Sequence, residues 1–133
     1  MKEIEISHEI PPVYELLNKK FGVKWDDKII IAYGGKIHCK DTPAPQKIIH
    51  EKVHLDEQKK IGNELWWKAY LEDDNFRLQE ELKAYRIESN FLKKYIKNRE
   101  VRFHAINEIA DSLSSPVYGS IITKKEALSY LLK

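Results

Sequence analysis

The sequence is poor in cysteine: of 133 residues, only Cys39 is one. No internal disulfide framework can form, and a reducing compartment is the simplest setting. Long apolar runs are also missing. No segment is apolar enough to span a bilayer, and the opening MKEIEISHEIPP lacks the apolar core of a signal peptide. The expectation is a cytoplasmic protein with no membrane partner. Charge of one sign is scarce too. The formal net charge is only +2, and lysine and arginine are interleaved with aspartate and glutamate. A nucleic-acid partner is therefore not expected. Repeats and low-complexity tracts are absent. What remains is 42% hydrophobic and 33% charged, the composition of one globular domain over residues 1–133.

The two halves of the chain differ in pattern. PPVYELLNKKFG reads as a short amphipathic helix, opened by Pro11 or Pro12 and stopped by Gly22. KIIIAY, Gly34-Gly35 and KIHCKD read as strand, two-glycine turn and strand. Thr42-Pro43-Ala44-Pro45 then breaks the chain. Beyond it the pattern is helical. One helix is expected from about Pro45 to Lys60, ending at Gly62-Asn63. A short one follows in NELWWKAYLED. A third should run from about Asn75 to Ile96, with Leu78, Leu82, Tyr85, Leu92 and Ile96 along one stripe. EVRFHAINEIADSLSS and KKEALSYLLK supply two more, separated by SSPVYGSIIT. The fold class is α+β, a small sheet packed on a helical layer.

The densest chemical signal is His50-Glu51-Lys52-Val53-His54, an H-E-x-x-H. Four residues apart on a helix, both imidazoles share a face and reach one ion. Zinc accepts neutral imidazole nitrogen, and a catalytic zinc keeps three protein ligands with one position for water. The bound water becomes acidic near pH ~7. Glu51 stands beside both histidines, where a general base would take that proton and pass it to a leaving amine. The plain alternative is a solvated helix with two surface histidines.

A third ligand must come from elsewhere, and Glu57, Glu64, Glu72, Asp73, Asp74, Glu80, Glu81, Glu88 and His104 are the candidates. At about 100° per residue, Glu81 falls at the edge of the apolar stripe of the third helix, while Glu80 points away from it. A carboxylate held among apolar residues needs a partner. A zinc ion is one, and a lysine or arginine is the other. Ala84 would let this helix approach the His50/His54 helix closely. Glu88, two turns beyond Glu81, is placed to orient a histidine from behind.

HEKVH followed by EELKAY resembles the glutamate-zincin (gluzincin) pattern, in which the third zinc ligand is a glutamate on a following helix. Glu81-Leu82-Lys83-Ala84-Tyr85 is similar to the Glu-x-x-Ala-Asp segment of several zinc peptidase families, but Tyr85 stands where they have the acid. The chain also resembles small phage-encoded proteins of zincin type over residues 28–120. Those share a hairpin, H-E-x-x-H with a nearby glutamine, a tryptophan-rich segment and a glutamate-rich Ala-Tyr helix. The resemblance implies a zincin-like fold with Zn2+ as cofactor. It gives no substrate. Taken with the residues above, the expectation is a zinc metallopeptidase with His50, His54 and Glu81 as ligands, Glu51 as base, and amide bonds of a protein or peptide as the target. A non-catalytic zinc-binding structural or interaction protein is the alternative, although a structural zinc has no need of Glu51.

Several residues carry weaker signals. Tyr118, on the Pro/Gly loop, is a candidate donor to the oxyanion of the reacting carbonyl, or else packs the loop onto the domain. Gln58 shares the face of His54 and reads either as a hydrogen-bond partner behind that histidine or as a glutamine on the helix surface. Trp66, Trp67 and Tyr70 read as packing residues. His38 and Cys39 read as strand packing, and His104 as a reserve ligand. KIHCKD is expected to offer an exposed strand edge on which an extended peptide could pair.

Overall fold

A computed structural model describes residues 4–132 of the chain. Among them are six α-helices and one three-stranded sheet, so the protein is a mixed α+β fold dominated by helix. None of the helices is long and apolar enough to cross a membrane.

The hairpin forms where its two glycines place it. Strands β2 (Ile30–Tyr33) and β3 (Lys36–Cys39) pair antiparallel, with Tyr33 opposite Lys36. Gly34 and Gly35 both adopt positive φ, as a two-residue turn between twisted strands requires. A third strand, β1 (Glu5–Ser7), adds in parallel along the other side of β3. Three residues are too short to show an alternating pattern, so β1 has no visible signature in the sequence. Its presence corrects one expectation. KIHCKD is not an exposed edge, because the order β1-β3-β2 makes β3 the central strand. The edge beside the helices belongs to β2.

Helix α1 (Tyr14–Phe21) ends at Gly22 in the left-handed conformation. Helix α2 (Pro45–Ile61) starts with proline in its first turn, where the missing N–H costs nothing, and stops at Gly62. Helices α3 (Asn63–Glu72), α4 (Asp74–Tyr95), α5 (Arg99–Leu113) and α6 (Lys124–Leu131) follow. The Asp73 side chain caps α4 by accepting from the Phe76 N–H at 3.1 Å. Asn63, expected to help stop α2, instead begins α3 and accepts the Gly34 N–H at 2.9 Å. It thereby ties the hairpin turn to the helical layer.

The core is in two parts. Leu82, Tyr85 and Leu92 of α4 pack with Ile106, Ile109, Ala110 and Leu113 of α5 and with Ala127 and Leu131 of α6. Val13, Leu17, Val23 and Ile31 pack with Trp66, Trp67 and Tyr70 of α3. Tyr118, in a 3-10 turn (Pro116–Tyr118), packs against both. Helix α2 lies against α4 along this seam, where Ala84 is fully buried and permits the close approach its size implies.

Arg77 locks the Tyr118 turn in place. Its guanidinium is almost wholly buried and donates from Nε to the Tyr118 carbonyl at 2.7 Å and from Nη1 to the Tyr70 carbonyl at 2.7 Å. It also pairs with Asp74 and lies over the Phe21 ring, 4.7 Å from its centroid. Gly119 follows at φ +91, and a Cβ there would stand 2.8 Å from Nη2 of Arg77. Gly119→Ala should therefore destabilise the fold by at least about 1 kcal/mol, the left-handed cost alone. Chemical denaturation of the purified variant measures this, and a stability equal to wild type would contradict the packing described.

Candidate metal centre

The inward face of α2 is polar: His50, Glu51, His54 and Gln58 are all buried. A buried face of this kind needs partners for its nitrogen and oxygen atoms. The histidines find most of theirs on α4, whereas His54 Nδ1 and Gln58 Oε1 have none among the described residues. Glu81 of α4 places one oxygen, Oε1, 3.1 Å from Nε2 of His50 and 3.1 Å from Nε2 of His54. Its other oxygen accepts the Tyr70 hydroxyl at 2.5 Å. Glu88, two turns on, accepts from His50 Nδ1 at 3.0 Å, and Lys47 Nζ lies 2.8 Å from its second oxygen.

These separations fit a metal ion. Ligand bonds of about 2.0–2.1 Å in a tetrahedron put neighbouring donor atoms about 3.3 Å apart. Both nitrogen–oxygen separations to Glu81, 3.1 Å each, come close to that spacing. Glu51 is a competitor for the third position, since it, His50 and His54 each place a donor atom within 4.8 Å of the others. Glu81 approaches His50 more closely. Its single oxygen is equidistant from both nitrogens, whereas Glu51 Oε2 approaches His50 Nε2 only to 3.5 Å. Local charge favours a cation as well. Glu51, Glu81 and Glu88 are all buried, and Lys47 is the one lysine that pairs with any of them among the described residues.

The same charges perturb titration. Burial pushes His50 toward its neutral form, but the Glu51 charge and the hydrogen bonds to Glu81 and Glu88 outweigh it and raise the imidazole to about 10. Burial pushes the Glu81 carboxyl up, yet the two histidines reverse this and hold it well below the usual carboxylate range. In Glu51 burial prevails, raising the carboxyl and making it a stronger base. The metal-free cluster is thus an ion-paired arrangement in which His50 holds a proton that a metal ion would displace.

The site opens into a cleft of about 460 Å³. Its walls include Leu17, Val23, Ile29, Ile31, Trp67 and Val117, and Ile30 and Ala32 of β2 run along one side. Tyr118 lines the same cleft, and its hydroxyl lies 2.6 Å from that of Tyr85, whose ring packs 4.2 Å from the His50 ring. Burial raises both tyrosines well above their ordinary pKa, so both remain hydroxyl groups.

Four side chains differ from their sequence expectations. Glu80 does not face outward: it is buried and accepts the Trp66 indole N–H at 2.7 Å. The apolar stripe of α4 marks one buried face, but α2, α3 and α5 all pack on this helix, and α3 covers the side that Glu80 occupies. Gln58 makes no bond to His54. Its amide instead donates to the Ala32 carbonyl at 2.8 Å, which also receives the Trp67 indole N–H at 3.2 Å. Tyr70 is a packing residue, as expected, but its hydroxyl also holds Glu81, a role that aromatic spacing does not reveal. His104 is exposed on α5 beside Glu108 and is no ligand candidate. His38 and Cys39 are buried in the sheet, and His38 bonds the Glu9 carbonyl at 3.0 Å. Lys47 and Arg77 had no signal of their own. No protein-family model, curated protein or solved structure matches the chain.

Glu80→Ala leaves the Trp66 indole N–H buried without an acceptor. It should cost about 1–3 kcal/mol, the penalty of one such group, while leaving metal affinity unchanged. Thermal unfolding and metal titration of the same sample separate the two effects. An unaltered melting temperature would contradict the buried placement of Glu80.

Proposed function

We infer that the protein is a zinc-dependent peptidase of zincin-like type, in which His50, His54 and Glu81 hold the metal and Glu51 is the general base. The observation that carries this reading is the single Glu81 oxygen 3.1 Å from both histidine nitrogens, with Glu51 buried beside them. The three donors and an open cleft make a catalytic site rather than a closed structural one, since a structural zinc takes a fourth protein ligand.

The bound metal would supply an acidified water and polarise a carbonyl oxygen. Glu51 accepts the water's proton, for which its raised basicity suits it, and returns it to the leaving amine. Tyr85 and Tyr118 share one hydrogen bond, so one of their two hydrogens is free to point into the cleft. Tyr118, on the loop, is the donor assigned to the developing oxyanion. The apolar walls exclude water and fit a side chain of an extended protein or peptide substrate. The β2 edge is placed to pair with that substrate's backbone. Its outward carbonyl at Ala32 is already taken by Gln58 and Trp67, so pairing centres on Ile30.

Two variants separate binding from chemistry. Glu81→Gln should lose most bound zinc after dialysis, because a neutral amide is a poor ligand. Glu51→Gln should keep its zinc and lose hydrolysis by at least ~100-fold, the lower range for a general base. Elemental analysis with cleavage of a peptide library reads both. Equal zinc in Glu81→Gln and wild type would remove Glu81 as ligand, and activity persisting in Glu51→Gln would remove the base.

Tyr118→Phe tests the oxyanion donor. Turnover should fall by ~100-fold or more with zinc content unchanged. A merely structural Tyr118 would instead lower the melting temperature and leave turnover per folded molecule intact.

A further inference from the structure

Lys47 precedes His50 by one turn on α2 and is half-buried at the cleft wall. Its ammonium sits 2.8 Å from Oε2 of Glu88 and 5.4 Å from the centre of the Tyr85 ring. Glu88 is almost wholly buried, and its remaining oxygen is 3.0 Å from His50 Nδ1. Among the described residues no other lysine or arginine pairs with Glu88.

The direction of the Glu88–His50 hydrogen bond decides what His50 can do. A neutral imidazole has one N–H and one lone pair. If the hydrogen between Glu88 and His50 belongs to Nδ1, Nε2 is the nitrogen that can give its lone pair to a metal once the hydrogen it shares with Glu81 is displaced. If it belongs to Glu88, Nε2 carries the hydrogen and cannot bind a metal. With the Lys47 ammonium on Oε2, Glu88 acts only as acceptor, and the first arrangement follows. We propose that Lys47 is a positioning residue of the metal centre, which holds Glu88 as the acceptor of the His50 Nδ1 hydrogen and so keeps Nε2 as the nitrogen turned toward the metal position beside Glu81. The inference rests on the metal-site reading above and adds to it the residue that prepares the site.

The sign of the effect distinguishes this role from simple electrostatics. A nearby ammonium repels a metal cation, so a purely coulombic Lys47 would weaken metal binding and its removal would tighten it. A positioning Lys47 does the opposite.

The test uses the full chain, freed of metal and titrated with Zn2+ against a competing chelator. Lys47→Met should weaken zinc affinity by ~10–100-fold, the usual effect of disturbing a group that orients a ligand. Lys47→Arg, which keeps the cation, should restore most of it. Glu88→Gln offers a carbonyl oxygen to Nδ1–H without needing a cation. In that background Lys47→Met should change the affinity by less than ~3-fold, since the shared partner is gone. Unchanged or tighter binding in Lys47→Met overturns the proposal, as does an equal loss in both backgrounds. Should Lys47→Met fail to fold, nitrogen-15 NMR of the zinc-loaded wild type decides. A hydrogen on Nδ1 with Nε2 on the metal is the expected result, and the reverse overturns it. A wild-type protein that takes up no zinc would overturn the metal-site reading itself, an outcome distinct from a functional site insensitive to Lys47.

Discussion

Glu81 is the residue on which three helices converge. Its carboxylate sits on α4, faces two imidazoles from α2 and receives a hydroxyl from α3. Burying such a group without partners would cost several kcal/mol, so the approach of α2 to α4 and the orientation of α3 are constrained together. Ala84 permits the approach, and the short connection through Gly62 turns α3 so that Tyr70 reaches the carboxylate. Around this centre the polar groups are paired in a chain, from Lys47 through Glu88 and His50 to Glu81 and Tyr70. A helix face as polar as that of α2 is tolerated because most of its groups are paired, His54 Nδ1 and Gln58 Oε1 being the exceptions.

The position of the site follows from the two-part core. Tyr85 belongs to the cluster under α5 and α6, while Trp66 and Tyr70 belong to the cluster under α1 and the sheet. The His50, His54 and Glu81 side chains lie where the clusters meet, and the cleft enters along the same seam. Tyr118 packs on both clusters and is held by Arg77, so the loop across the cleft is fixed to the helix that carries Glu81. The placement of the loop and the geometry of the site are therefore mechanically connected.

Much of this was legible in the residues, for definite reasons. The helix over 45–61 has proline at its start and glycine after its end, and both signals act locally. The hairpin is written in Gly34-Gly35. The shared face of His50 and His54, and the inward turn of Glu81, follow from helical periodicity. What was not legible depends on contacts distant in sequence. Strand β1 is three residues long and gains its identity only by pairing with β3. The apolar stripe marks only one of the buried faces of α4, which is enclosed on several sides, so periodicity alone does not reveal that Glu80 is buried against Trp66. Lys47, Tyr70 and Arg77 are ordinary helix residues until their partners, 41, 11 and 41 positions away, are brought beside them.

Whether His50, His54 and Glu81 hold one ion together decides what the site can do. Anomalous diffraction at the zinc edge, from crystals of the protein loaded with zinc, tests this directly. The predicted result is a single strong peak about 2.0–2.2 Å from Nε2 of both histidines and from a Glu81 oxygen, with its fourth position open to the cleft. A peak at any other place, no peak, or an ion bound by Glu51 while Glu81 remains with Tyr70 alone would contradict it.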